Sequence, residues 1–288
     1  MYGIALFRRI PHIIPALLIL ACGARVHAQS PPGDPVALVR AASWNELHSS
    51  NAQHPFRFRL RKQDENGITT KDIVETKDGD VARLIAVNDE PLSPDRAKAE
   101  RARLDNLLAH PELQARRHRR EQEDSNRSNE MVRLLPDAFI YSYRDIVQTP
   151  NGPAWRLTFV PNDKFIPPDR EAQVYHGMAG ELWIDCREKR MSRLDAHLIS
   201  DVNFGWGMIG RLYKGGTILV EQKDVGQDHW EQHKLRLNLT GKILMFKSLV
   251  IDTKEDESNF AAVPADWTYQ DAVRALLSED HSTQSAAD

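Results

Sequence analysis

Gly180-Glu-Leu-Trp-Ile-Asp185, Arg190-Met-Ser-Arg-Leu-Asp-Ala-His-Leu-Ile-Ser-Asp-Val202 and Trp230-Glu-Gln-His-Lys-Leu-Arg-Leu-Asn-Leu239 decide the fold. In the second of these, Leu194, Ala196, Leu198, Ser200 and Val202 fall on one side, and Arg193, Asp195, His197, Ile199 and Asp201 on the other. In the third, Leu235, Leu237 and Leu239 alternate with Lys234, Arg236 and Asn238. A period of two is the mark of strands with one face buried and one wet. Thr217–Lys223 and Ile243–Ile251 continue the pattern, and the breaks carry turn residues: Lys214-Gly-Gly216, Gly226-Gln-Asp228 and Thr240-Gly-Lys242. Short turns between alternating runs predict an antiparallel meander.

Working outward, strands are expected at 56–62, 68–76 and 81–87, with Asn66-Gly67 and Asp78-Gly79 as hairpin turns. Two more are expected at 139–147 and 155–160, where Trp155, Leu157 and Phe159 share a face. Val36–Leu47 has helical spacing, as has 266–277. Between the two strand groups the composition changes. From Ser93 to Leu135 the chain is dense in Arg, Glu and Gln, with Ser93-Pro94 as a helix start and Pro111 dividing two helices. The expected class is mainly β (α+β): a curved antiparallel half-barrel meander, helices covering its concave face, and a charged helical insertion at 93–135.

The ends read differently. Arg8 and Arg9 precede the apolar run 10–21, and Val26-His-Ala28 offers a cleavage site, so residues 1–28 read as a signal peptide. A lipobox-like Leu18-Ile-Leu-Ala-Cys22 offers lipidation at Cys22 as the alternative, anchoring the chain in the outer membrane. Either way the chain is exported, to the periplasm or beyond. Residues 29–35 read as a linker, 36–277 as a single domain, and 278–288 as a disordered polar tail. Without Arg8, Arg9 and Arg25 the 38 basic residues become 35 against 41 acidic ones, which argues against nucleic acid as a partner. Cys186 is then the only thiol and has no internal disulfide partner.

Three groups of residues invite a chemical reading. Gly205-Trp-Gly-Met-Ile-Gly210 matches the dinucleotide pattern by letter, but Lys214-Gly-Gly216 leaves no room for the helix that must hold the pyrophosphate. His229 and His233 would face one metal on a helix; on a strand they lie about 13 Å apart, too far for one ion. Asp195, His197 and Asp201, with Glu181 or Asp185, could form an acid/base group, though the spacing selects no reaction. No cofactor and no metal is expected. The basic run 116–120 could touch an anionic membrane surface, or be a solvated face neutralised by Glu121, Glu123 and Asp124.

The segments 180–185, 194–198, 201–207 and 211–216, with Glu221-Gln222, resemble a group of uncharacterised bacterial secreted proteins. That group in turn is similar to the outer-membrane lipoprotein-sorting proteins LolA and LolB. The resemblance spans roughly 36–260. It implies an incomplete antiparallel barrel plugged by helices, whose hollow accommodates the acyl chains of lipids or lipoproteins, and no enzymatic activity. The expected lining comes from the alternation: Trp155, Leu157, Phe159, Leu194, Leu198, Leu235, Leu237 and Leu239. An envelope hydrolase, or a structural protein whose barrel is filled by its own helices, are the alternatives.

Overall fold

In the computed structural model, residues 33–49, 54–205, 209–226, 229–244 and 247–284 are described; of 279–284 the backbone alone is. The signal segment, the cleavage site after Ala28 and Cys22 lie outside them. A first helix, α1 (Pro35–Leu47), is capped by Asp34, whose carboxylate accepts Val36 N–H at 2.9 Å. Strands β1 (Phe56–Asp64), β2 (Gly67–Val74) and β3 (Val81–Val87) follow as hairpins, with a two-residue β4 (Glu90–Pro91). The charged segment is two helices parted at Pro111, α2 (Pro94–Ala109) and α3 (Pro111–Ala138). Next come β5 (Phe139–Thr149), β6 (Gly152–Pro161), β7 (Met178–Asp185) and β8 (Met191–Leu198). Two short strands, β9 (Val202–Phe204) and β10 (Gly210–Leu212), precede β11 (Thr217–Gly226), β12 (His229–Ile243) and β13 (Lys247–Ala262). Helix α4 (Tyr269–Gln284) ends the described chain.

All strand pairs are antiparallel, in the order β4-β3-β2-β1-β13-β12-β11-β8-β7-β6-β5, with β10 joining β9 to β12. The two ends of this order do not meet, so the sheet is an open half-barrel with helices, as the alternation predicts.

The turn expected at Thr240-Gly-Lys242 does not form, since β12 runs through it to Ile243 and the next strand starts at Lys247. Four further details depart from the sequence reading. The run 190–202 is not one strand: it breaks after Leu198, where Ile199 N–H turns to the Gly177 carbonyl. The connection before β7 holds a 3-10 segment, Glu171–Gly177, which drives Ala172 and Tyr175 into the core. Helix α4 runs on to Gln284, into the stretch read as a disordered tail. The largest departure is β13, which does not stop at Ile251. Its acidic portion Lys254-Glu-Asp-Glu-Ser258 pairs with the basic strand Arg57-Phe-Arg-Leu-Arg-Lys62. Opposite charges face each other across the ladder: Lys62 meets Glu255 at 3.0 Å, and Asp256 on β13 takes Arg236 of β12 at 2.5 Å. This ladder joins the first three strands to the last one.

Two apolar clusters form. One gathers Leu38, Val39 and Ala42 of α1 and Leu135 and Ala138 of α3 against β5–β8. The other packs Leu104 and Leu107 of α2 and Tyr269, Ala272, Val273 and Leu276 of α4 against Val74 and Val81.

Candidate lipid-binding groove

Cross-strand register turns the alternation into continuous rows. Tyr143, Leu157, Leu182, Leu194, Val220 and Leu235 are directly opposed, neighbour to neighbour, from β5 to β12. Tyr141, Phe159, Gly180, Ala196, Ile218 and Leu237 form the next row. Directly opposed residues share a face, so both rows belong to one apolar surface.

Cover is uneven along that surface. Leu157 is 0% exposed and Leu182 1%, sealed beneath α1, the end of α3 and the 3-10 segment. Leu194, Ile218 and Leu239 are half-buried against the margin of the same cluster. Val220, Leu235 and Leu237 are half-buried too, but belong to neither cluster among the described residues. One step further the rows turn polar, at Thr253 and Glu255. The open floor is thus a narrow apolar strip on β11 and β12, bounded by the plugged core and by a charged wall.

The eight residues singled out from sequence divide accordingly. Trp155, Leu157, Phe159 and Leu198 are sealed in the core and line no accessible hollow. Leu194 and Leu239 stand at its edge, and Leu235 and Leu237 lie on the open strip. Ile218 and Val220 are added by register with β12; their own segment, Thr217–Lys223, alternates too weakly to single them out.

Helix α3 spans the opening. At its start, buried Gln114 donates to the Asp78 and Asp80 carbonyls in the β2–β3 turn, and Asp80 N–H donates to Glu121. At its end, the hydroxyls of Tyr141 and Tyr175 donate to the Leu135 and Met131 carbonyls at 2.7 and 2.8 Å. Burial raises the pKa of both phenols, which keeps them protonated as donors. Between these anchors residues 122–129 are all exposed. A helix that is polar and wet all round rests on nothing and bridges solvent. Its anchors lie near opposite ends of the strand order, so the helix is a chord across a curved sheet. Helix α1 is latched beside it: Glu46 takes Arg190 through two hydrogen bonds at 3.1 and 2.9 Å and accepts Met191 N–H.

The other sequence candidates do not converge. His197 and Asp201 are exposed, Asp195 pairs with Arg193, and the Asp201 carboxylate accepts Lys214 N–H. Asp185 instead caps the β7–β8 turn through Arg187 and Glu188 N–H. The glycine-rich segment links the antiparallel pair β9–β10, with no helix following in the described residues. His233 approaches Glu221 and His229 contacts Glu231, so the two histidines have different partners. Cys186 is buried, and burial followed by neighbouring Asp185 pushes its thiol up to about 11, an unreactive state. Of the basic run, Arg116, Arg117 and Arg120 line a cleft of about 280 Å³ with Arg103 and Leu113. Of the acids expected to neutralise this run, Glu121 approaches His118 within it at 3.9 Å and accepts Asp80 N–H, and Asp124 pairs with Arg127.

No family model matches the sequence, and no curated protein matches it. Two solved structures are similar to the chain. One is a domain assigned to outer membrane lipoprotein sorting, from Vibrio parahaemolyticus, at 7% identity and a TM-score of 0.27, covering 78% of this chain and 91% of that one. The other is a DUF1329 family protein from Desulfovibrio piger, at 11% identity and a TM-score of 0.27, covering 80% and 93%. Both superpositions are loose. Among the described residues, no helix is long and apolar enough to cross a membrane.

Proposed function

We propose that the chain is an exported cell-envelope carrier, chaperone or sensor that holds acyl chains of a lipid or lipoprotein on the β11–β12 strip. The observation that carries this reading is the loss of cover along one apolar row, from Leu157 at 0% exposure to half-buried Val220 and Leu235, which join neither apolar cluster among the described residues. Exposed apolar surface bordered by polar residues marks a binding face. Two strands at about 4.8 Å spacing give a floor roughly 5 Å wide between strand axes, enough for one acyl chain. Each methylene buried there contributes about 0.8 kcal/mol, so a short contact suffices for useful affinity. No convergent catalytic group accompanies the strip, and the role proposed is non-enzymatic. The arginine-lined cleft at the α2–α3 junction supports transient contact with an anionic membrane surface during loading.

The test is binding of a fluorescent fatty acid to the full chain and to Leu237→Glu. Binding by the wild type, lost in a variant that melts near the wild-type temperature, is the expected result. A wild type that does not bind, or a variant that binds equally well, would sink the carrier reading and favour a self-plugged structural protein.

A further inference from the structure

Where the centre of the sheet splits, a second site appears that has nothing to do with acyl chains. Strand β12 pairs with β13 from Ile243 back to Lys234 and no further in the described register. There β12 carries an irregularity opposite Glu221/Gln222, while β1 and β13 carry one between Arg57 and Arg59. The start of β12, the start of β1 and the end of β2 meet in the resulting gap. His229 and Glu231 come from β12, and Glu75 follows β2 directly.

Ligand atoms of Glu75, His229 and Glu231 all lie within 4.8 Å of one another. His229 is 1% exposed, and its Nε2 contacts a Glu231 carboxylate oxygen. Its Nδ1 is buried with no hydrogen-bond partner among the described residues. A sealed imidazole with one unsatisfied nitrogen is costly unless something else engages the ring. One oxygen of Glu75 is fixed by Phe56 N–H at 2.8 Å, and the Phe56 ring packs on His229 at 4.5 Å. The donors are therefore held by the backbone and by packing.

Two further carboxyls, Glu257 and Asp80, stand close enough to feel the charge of Glu231. One imidazole and two carboxylates is a set that suits Zn2+ or another divalent transition ion, and not Mg2+, which prefers oxygen donors and keeps its waters.

We propose that Glu75, His229 and Glu231 bind one divalent transition metal ion, of the Zn2+ class, as a structural staple. It clamps the first hairpins to the centre of the sheet at the point where the β12–β13 ladder ends. Three protein ligands leave one position for water, and ligand atoms about 3.4 Å apart are what a tetrahedral ion at 2.0–2.2 Å requires, so small shifts of the three side chains complete the site.

The experiment uses the full chain, stripped with chelator and returned to metal-free buffer. Elemental analysis after adding Zn2+ and desalting should find one equivalent, and the melting temperature should rise with Zn2+, not with Mg2+, and fall again on chelation. His229→Gln and Glu231→Gln should retain the metal-free melting temperature and lose both the equivalent and the rise. If His229→Gln fails to fold, Glu75→Gln and Glu231→Gln carry the same comparison. A wild type that retains no metal and shows no rise overturns the proposal. A rise undiminished in the variants overturns it too, by placing the ion elsewhere. Fatty-acid binding is read separately and moves with neither outcome.

Discussion

Strands β6–β8 and strands β11–β12 carry the same alternation, the same kinds of apolar residue and adjacent places in one sheet, yet they end differently. Over β6–β8 the face is closed by α1, by the end of α3 and by the 3-10 segment. Over β11–β12 it is half-buried, and its side chains join neither apolar cluster among the described residues. An apolar sheet face becomes a core or a binding surface according to what is tethered over it. The side chains alone do not choose.

The comparison breaks most visibly if the two leucines of one row are exchanged for alanine. Leu157→Ala, in the sealed half, should cost about 2–5 kcal/mol in urea unfolding, since a cavity is left behind. Leu235→Ala, on the half-buried strip, should cost less, about 1–2 kcal/mol, because part of its surface stays in water and less of a cavity is left behind. Equal losses would mean that the strip is as closed as the core.

The strap is the next target. Gln114→Ala leaves the Asp78 and Asp80 carbonyls without their buried donor and should cost about 1–3 kcal/mol. If α3 holds the groove in shape, hydrogen exchange in α3 should rise with it, and fatty-acid binding should weaken. Unchanged exchange in α3 would mean the helix is held by its other end alone.

The smallest effect is electrostatic and lies on the wet face of the centre strands. Burial raises the Glu221 carboxyl, but the Lys234 hydrogen bond and the charges of Lys234, Arg193 and His233 outweigh it and hold the pKa below the ordinary glutamate value. A folded value depressed below the unfolded one gives stability that is present above the unfolded pKa. That stability is lost as pH falls through the folded value. Urea midpoints measured between neutral pH and acid should therefore fall less steeply in Glu221→Gln than in the wild type. Parallel profiles would remove Glu221 from the acid response.

Much of this was legible along the chain. Asn66-Gly67 and Asp78-Gly79 marked hairpins that form, Pro111 marked the break between α2 and α3, and the leucines of 235–239 marked a face. The continuation of β13 was hidden, because Lys254-Glu-Asp-Glu-Ser258 has no apolar alternation. Its signal was the complementary charge of Arg57-Phe-Arg-Leu-Arg-Lys62, which only a search for partners far apart in the chain would find. The same holds for the metal-ligand group. His229 and Glu231 stand two apart on a strand, the spacing that shares a face, but nothing near them announces Glu75.

The sequence by itself determined the strands, their turns, the helical insertion and the alternating face, because each depends on residues within a few positions of one another. Tertiary structure alone decided that Phe56 pairs opposite Ala262, that Leu157 is sealed while Leu235 is not, and that Glu75 meets His229. Those outcomes rest on which distant segment arrives to cover or to pair, and a local period carries no record of its partner.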